Sequence, residues 1–477
     1  MSEISAQSAM SDIRVLDSLF YPKNVALIGA TSSPEKTGNM ILKRLLTARV
    51  NIFPVHPKET AIEGVPVIND VRELPDGLDL AIITIGALGA VEAAEACAAK
   101  GTRVIIVVAS GFGETGTDGQ ALENRLGVLS AEYGSRVLGP NTLGVFMPES
   151  GLNTIFVEHG DRALAGGGGV AFLTQSGSVG AEALGYASNI GFGMRVFVGL
   201  GNKIDLDELD FLRYFGRDEK TKAIAVYVES IERGKAFLEE ARMISREKPV
   251  VVLKAGRTAS GQSAVSSHTG KLAGSDRVID GAFRQYGILR VFDDEELSDA
   301  ARILSMSSLP SGNRVAVITA AGGYGVMCAD YIEEKSGRAR LAMAQLSENT
   351  SKRLQETNIG FASSKNPVDI TAAADSRNYA ENLKILLEDD GVDIVICVAF
   401  FAPVGVTDDL VSLISETAPK YGKPIIVFSE YGPFTDNYLK RFYNEGIPGF
   451  PSIFRAVRAA RFLVERKQLI ENLGDEA

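Results

Sequence analysis

The 477-residue chain has little of what metal and disulfide sites are built from. Its three cysteines, Cys97, Cys328 and Cys397, lie far apart in apolar contexts, which suits buried thiols in a reducing compartment and excludes a disulfide framework. Three histidines and no cysteine cluster argue against a catalytic zinc site as well. The chain has no apolar run of the ~18 residues that a membrane-spanning helix requires. Its first residues, MSEISAQSAMSDIRV, lack the basic-then-apolar order of a secretion signal, and residues 1 to about 14 are expected to form a loose arm. Positive charge is in deficit: 49 basic against 60 acidic residues leave a net charge of -11, which argues against general nucleic-acid binding. What is present, 45% hydrophobic and 23% charged residues, belongs to a soluble protein of two to four domains, and a cytoplasmic enzyme is the expectation.

Short β-branched apolar runs alternate with longer helical patterns, as parallel sheets with crossover helices require. Strands are predicted at 25–29, 52–55, 80–85, 104–109, 170–174, 223–228, 250–254, 315–319, 394–398 and 424–428. Their nearly continuous apolar character implies sheets covered on both faces. Four glycines at 166–169 directly before a strand set one domain break near 148–168, and Leu309-Pro310-Ser311-Gly312 sets a second. The expected fold is therefore α/β, with three doubly wound parallel-sheet domains at about 15–147, 165–308 and 313–470.

Each domain opens with a strand, a small-residue turn and a helix. The turns are Gly29-Ala30-Thr31-Ser32-Ser33, Gln175-Ser176-Gly177-Ser178 and Ala321-Gly322-Gly323-Tyr324-Gly325. Free backbone N–H groups and the helix dipole make such a turn an anion site, although glycine also serves turn geometry alone. The first turn lacks the G-x-G-x-x-G of a nicotinamide-binding domain, and hydroxyl side chains replace the second glycine. The second strand ends in Pro54-Val55-His56-Pro57-Lys58-Glu59, with no acid at the strand end itself and a lysine close by. A carboxylate there would grip free ribose hydroxyls, whereas Lys58 suits a phosphorylated ribose, so coenzyme A and NADP remain and NAD is rejected. Thr84-Ile85 and Ser110-Gly111 add small residues at the same sheet edge, where ligands of open α/β sheets bind.

His268 lies in Gln262-Ser263-Ala264-Val265-Ser266-Ser267-His268-Thr269-Gly270-Lys271-Leu272-Ala273-Gly274, a small, hydroxylated stretch predicted to be an exposed loop. A nucleophilic imidazole that accepts phosphate needs reach, an orienting acceptor on its other ring nitrogen, and positive potential around the phosphoryl group. Glu229, at the end of the strand 223–228, is the best candidate orienter, and it serves equally as a cap for the following helix. His56 and His159 lack such settings and are read as structural.

In order along the chain, residues 25–33, Gly139-Pro140-Asn141, Thr174-Gln175-Ser176-Gly177, Val252-Leu253-Lys254-Ala255-Gly256-Arg257, Ser267-His268-Thr269-Gly270 and Asn366-Pro367-Val368-Asp369 form a specific combination. The chain so marked resembles the α subunit of ADP-forming acyl-CoA (acetate–CoA) synthetases, relatives of succinyl-CoA synthetase. The resemblance covers nearly the whole chain. It implies a Rossmann-like domain binding coenzyme A through Gly29, Ala30, Thr31, Ser32, Ser33, Lys58, Thr84, Ile85, Ser110 and Gly111, followed by two flavodoxin-like ligase domains. It further implies that His268 is a phosphohistidine supported by Glu229. Gln175, Ser176 and Gly177, and Ala321, Gly322 and Gly323, would hold the phosphate at two stations. The implied reaction is reversible: acyl-CoA, phosphate and ADP give acid, coenzyme A and ATP through an acyl phosphate. The family also uses an ATP-grasp domain for Mg-ADP or ATP, and no such domain follows residue 470. A separate ATP-grasp β subunit in an α2β2 heterotetramer is therefore expected. Acetate is the commonest acid of the family. Two other readings stay open on the residues: an NADP-linked oxidoreductase, and a non-catalytic coenzyme A or acyl-CoA-binding protein of the same fold.

Overall fold

The computed structural model describes residues 15–157, 168–190, 193–269, 275–430, 432 and 434–474. The expected N-terminal arm, His159 and residues 270–274 lie outside them. Two compact units are present: the first carries two sheets, and the second, from Glu295 onward, carries a third.

The first sheet consists of β1 (Asn24–Ile28), β2 (Asn51–Val55), β3 (Leu80–Ile83), β4 (Val104–Val107) and β5 (Arg136–Leu138), ordered β2-β1-β3-β4-β5. All its pairings are parallel. β3 and β4 have no exposed position along their length. Each Val or Ile they bury is worth about 1.5–3 kcal/mol, and burial on both faces explains runs such as Val-Ile-Ile-Val. Chain order reverses at β1, which has β2 on one side and β3 on the other. This is the switch point where a doubly wound sheet opens a crevice at its carboxyl edge.

The second sheet contains β6 (Val145–Met147), β7 (Leu152–Asn153), β8 (Val170–Thr174), β9 (Met194–Gly199), β10 (Ala223–Val228), β11 (Val250–Lys254) and β12 (Leu289–Val291), ordered β12-β11-β10-β8-β9-β6-β7. Its β8, β9, β10 and β11 are mutually parallel, but β6 and β7 add an antiparallel edge through Phe197↔Phe146 and Phe146↔Asn153. The strands thus change sheet before the stretch 148–168 in which a break was expected. A four-residue helix, Asp17–Phe20, joins the two layers by sending Phe20 into a cluster with Phe211, Tyr214 and Phe215. The ring centroids lie 6.1, 5.2 and 5.1 Å from it.

The third sheet has the order β14-β13-β16-β17-β18, from β13 (Arg314–Thr319), β14 (Ala342–Met343), β16 (Ile394–Val398), β17 (Ile425–Phe428) and β18 (Gly449–Phe450), with β15 (Val368–Asp369) beside the end of β13. Its core gathers Ile318, Tyr379, Leu383, Leu386, Leu410 and Phe442, all buried. Among the described residues no helix is long and apolar enough to cross a membrane. Cys97, Cys328 and Cys397 are free and buried, and burial pushes each thiol up to about 12, so none is a ready nucleophile.

The start of β13 is tied to the start of β16 by Asp393. Its carboxylate, 1% exposed, accepts from Arg314 Nε and Nη2 at 2.8 Å, Arg314 N at 2.9 Å and Ser311 Oγ at 2.9 Å. Burial alone would raise its pKa. The Arg314 donors prevail and lower it from 3.8 to about 2. The contribution to stability is therefore complete above the unfolded value of 3.8 and is lost as pH falls through about 2. Asp393→Ala is predicted to cost about 2–3 kcal/mol at neutral pH, read as a lower urea midpoint. An unchanged midpoint would contradict this account of the β13–β16 junction.

Candidate functional site

At the carboxyl edge of the first sheet, Gly29 follows β1 with φ +91°, a left-handed conformation that favours glycine. A Cβ there would lie 2.5 Å from Thr84 Oγ1 and 2.7 Å from Ile85 Cγ2, so the turn, Thr84 and Ile85 are packed together. The Thr84 hydroxyl donates to the Ile28 carbonyl at 3.0 Å. Helix α1 (Thr37–Leu45) abuts the same turn, since a Cβ on Gly38 would fall 2.0 Å from the Gly29 carbonyl oxygen. Ala30 and Thr31 are buried, Ser32 is exposed and Ser33 is half-buried. Ser110 and Gly111 follow β4 at the same edge, where Gly111 N donates to Glu114 Oε1 at 2.6 Å. Lys58 is exposed on a turn capped by His56, whose Nδ1 accepts from Lys58 N at 3.3 Å and Glu59 N at 3.1 Å.

One expectation needs correction here. The strand end bears no acid, but Glu59, four residues past β2, folds back so that its Oε1 accepts from Ser32 N at 3.1 Å and from Thr31 Oγ1 at 3.5 Å. The Ser32 amide is the main reason its carboxyl is held below the ordinary value. The turn therefore takes an anionic oxygen, as its free amides predict, and the oxygen is the protein's own.

At the edge of the second sheet, the Thr174 hydroxyl ends β8 by accepting from Ser176 N at 3.2 Å and donating to the Ser176 carbonyl at 2.8 Å. Ser176 Oγ in turn receives Val179 N at 3.4 Å in the first turn of helix α2 (Gly177–Ile190) and lies 3.0 Å from Ser178 Oγ. Gln175 turns sideways toward the end of β10, and its Oε1 accepts from Glu229 N at 2.9 Å and Ser230 N at 3.4 Å. Gln175 and Glu229, far apart in sequence, thus meet at one sheet edge. Glu229 is 7% exposed.

Two lysines at this edge are buried, which the sequence reading did not foresee. Lys203 Nζ pairs with Glu208 Oε2 at 2.9 Å and donates to the Ser230 carbonyl at 2.7 Å, with both side chains at 0–1% exposure. Lys254 ends β11 beside Val228, and its Nζ donates to the Ala255 carbonyl at 2.6 Å. Burial is the main cause that lowers its pKa. Charged residues read from sequence as solvated, and only the position of Lys254 at a strand end hinted otherwise.

The predicted exposed loop around His268 is in fact helical over its first part. Helix α3 (Ala259–Thr269) carries His268 in its last turn, opened by Thr258, whose Oγ1 accepts from Gly261 N at 3.1 Å. The backbone of α3 packs against the short turn Gly113–Thr115 that follows β4, which brings this helix beside the edge of the first sheet. The His268 side chain lies outside the described residues.

The third sheet repeats the device of the second. The Thr319 hydroxyl accepts from Ala321 N at 2.9 Å and donates to the Ala321 carbonyl at 3.0 Å, and Ala321 caps helix α4 (Gly322–Glu333). Gly323 is open to its surroundings, but a Cβ on Gly322 would lie 2.5 Å from Asp369 Oδ2. A carboxylate therefore stands at this helix N-terminus, anchored through Oδ1 by Thr371 N at 2.9 Å. Ala320 N donates to the buried Tyr379 hydroxyl at 2.9 Å, and that hydroxyl donates to the Val398 carbonyl at 2.8 Å.

Residues 23–148 match the model of a CoA binding domain, and residues 167–304 match that of a succinyl-CoA ligase like flavodoxin domain. The chain is 34% identical to the α subunit of ADP-forming acetate–CoA ligase II from Pyrococcus furiosus, over 95% of this chain and 98% of that one. It is 36% identical to the α subunit of enzyme I of the same organism, over 93% and 96%. Among solved structures, the dinucleotide-forming acetyl-coenzyme A synthetase 1 of Ca. Korarchaeum cryptofilum, in complex with phosphate and ADP, matches with a TM-score of 0.86 and 31% identity, over 97% of this chain and 98% of that one. A likeness of this level and extent removes the oxidoreductase reading, and the chain belongs to the family of ADP-forming acetate–CoA ligases, along the length of their α subunits.

Proposed function

We propose that this chain is the α subunit of an ADP-forming acyl-CoA synthetase, binding coenzyme A at the edge of its first sheet and passing phosphate through His268. The observation that carries the reading is the contact between Gln175 Oε1 and Glu229 N. It joins a phosphate-type turn and a buried carboxylate at the edge of the very sheet that α3, with His268, follows. The first domain, about 15–147, offers the turn Gly29–Ser33 with Lys58, Thr84, Ile85, Ser110 and Gly111. The fit to a phosphorylated ligand is supported by Ser32 N, which donates to an anionic oxygen of Glu59 whose place a phosphate would take. The domains at about 165–308 and 313–470 supply Gln175, Ser176 and Gly177, and Ala321, Gly322 and Gly323, as the two phosphate stations.

In this reading phosphate attacks the thioester carbonyl, the C–S bond breaks, and coenzyme A leaves as the thiol with an acyl phosphate remaining. The His268 imidazole then takes the phosphoryl group from the acyl phosphate and releases the carboxylate. Glu229 holds the other ring nitrogen and stabilises the positive charge that develops on the ring. Phosphohistidine finally yields the phosphoryl group to ADP. The dipoles of α2 and α4 favour the anion at each station. The relatives are named for acetate, and a small carboxylic acid is the proposed substrate class. Their names as α subunits support a partner, which we take to be an ATP-grasp β subunit binding Mg-ADP or ATP in an α2β2 assembly. The buried thiols fit a cytoplasmic setting.

His268→Ala in the complete enzyme is predicted to abolish acyl-CoA synthesis while leaving coenzyme A affinity unchanged. Loss of both would point to misfolding or to a wrong assignment of coenzyme A to the first domain. Glu229→Gln is expected to slow phosphoryl transfer by about a hundredfold without removing the attachment site, and wild-type rates would rule out its supporting role. Gly29→Ala sets an L side chain at positive φ, at ~1–2 kcal/mol, and drives a Cβ against Thr84. Calorimetric titration is expected to show coenzyme A bound at least about tenfold more weakly, and an unaltered affinity would remove the turn from the binding site.

A further inference from the structure

The loop that follows β9, Leu200-Gly201-Asn202-Lys203-Ile204, joins the carboxyl edges of the first two sheets. Asn202 N donates to the Pro140 carbonyl at 2.9 Å and Ile204 N to the Gly139 carbonyl at 3.3 Å, so the loop runs along the segment that leaves β5. That segment meets the end of β4, where Asn141 N donates to the Ala109 carbonyl at 2.9 Å. Gly201, at φ +61°, permits the approach, since a Cβ there would lie 2.2 Å from the Pro140 carbonyl oxygen.

The next two side chains part in opposite directions. Lys203 is buried at φ +57°, a backbone conformation uncommon outside glycine, which persists where surrounding contacts over-determine it. Those contacts are its bonds to Glu208 and to the Ser230 carbonyl. Asn202, half-buried, reaches back to the first sheet, and its Nδ2 donates to Glu114 Oε2 at 3.0 Å and to Glu123 Oε2 at 2.9 Å. Both carboxylates grip the turn after β4: Gly111 N donates to Glu114 Oε1 at 2.6 Å, and Gly113 N to Glu123 Oε2 at 2.9 Å. Burial alone would raise the pKa of Glu114. The Gly111 amide and then the Asn202 side chain prevail and hold it below its ordinary value, so it stays a charged acceptor. Both N–H groups of one side-chain amide are thus given to the two carboxylates that fix a single turn. Two carboxylates so close would otherwise repel and splay.

We propose that Asn202 is a positioning residue for coenzyme A: anchored from behind by Lys203, its side-chain amide holds Glu114 and Glu123 and through them the turn Gly111–Gly113. The inference rests on the reading of Ser110 and Gly111 as part of the coenzyme A site. A turn pinned at two amides presents one conformation to the ligand, and the ordering it would otherwise lose on binding is already complete. Asn202 itself touches no reacting atom, and no bond is made or broken at it.

The test measures two half-reactions in the complete enzyme, the chain purified with its nucleotide-binding partner. The first is the labelling of His268 by Mg-ATP, which needs no coenzyme A. The second is the discharge of that label by acetate and increasing coenzyme A. Asn202→Ala is expected to raise the half-saturating coenzyme A concentration on the order of tenfold and to leave the labelling rate unchanged. Asn202→Asp keeps the shape but sets a third carboxylate beside Glu114 and Glu123, and a larger rise is expected. A wild-type coenzyme A requirement in Asn202→Ala would overturn the inference, and so would a smaller rise in Asn202→Asp than in Asn202→Ala. Labelling slowed as much as discharge would overturn it too, because a general loss of packing would then explain both. Should Asn202→Ala lower the melting temperature, Glu114→Ala, at an exposed position, carries the same test. A raised coenzyme A requirement is expected there, and an unchanged one would overturn the proposal. Label on the wild-type enzyme that acetate and coenzyme A leave in place would instead overturn the underlying reading of the chain, and the inference with it.

Discussion

The central strands of the three sheets leave little room for polar groups along their length, and much of the rest of the structure follows from that constraint. β4 (Val104–Val107), β11 (Val250–Lys254) and β16 (Ile394–Val398) are buried at every position, because helices cover both faces of a parallel sheet. Charged and hydrogen-bonding side chains must therefore collect where strands end. Gly29, Thr84, Ser110, Thr174, Glu229, Lys254, Thr319 and Asp369 all stand within three residues of a strand's carboxyl end. The candidate site is built at those edges because nowhere else in the sheets can hold it.

Holding charge at such edges has a cost. The Lys203–Glu208 pair is fully buried, and a buried ion pair is often no more stabilising than apolar residues of the same volume. Its ammonium also fixes the Ser230 carbonyl, next to Glu229, so its return is position. Thr174 and Thr319 act more cheaply: in each, one buried hydroxyl both accepts and donates within the following turn and sets the direction in which a helix begins. The two turns carry different neighbours. Gln175 reaches to Glu229, whereas Asp369 stands against Gly322. A carboxylate so close to a helix N-terminus favours that terminus electrostatically.

Much of this architecture was legible in the sequence. The strands 170–174, 223–228, 250–254 and 394–398 agree with the structure to the residue, since unbroken β-branched runs have one stable use in an α/β fold. Predictions at 80–85 and 104–109 overshot, because the apolar residues after Ile83 and Val107 belong to the turns of the edge. β9 (Met194–Gly199) went unread because Arg195 interrupts it. The structure neutralises that charge with Asp218 and Glu149, each at 2.7 Å. Helix α3 was read as loop because its serines and glycine have weak helical propensity, and its start depends on the Thr258 cap. Glu59 was passed over because its carboxylate reaches the turn only through the fold-back after β2, a loop conformation that no periodicity encodes. Gln175 and Glu229 could each be singled out from sequence. Their contact required the strand order, which places β8 next to β10.

The account stands most directly on a phosphorylated histidine. The chain, purified with its nucleotide-binding partner, would be given Mg-ATP, and acid-labile phosphate mapped by mass spectrometry under non-acidic conditions. The account predicts label on His268 that disappears when coenzyme A and acetate are added. An intact, nucleotide-binding complex that never carries phosphate on His268 would contradict it.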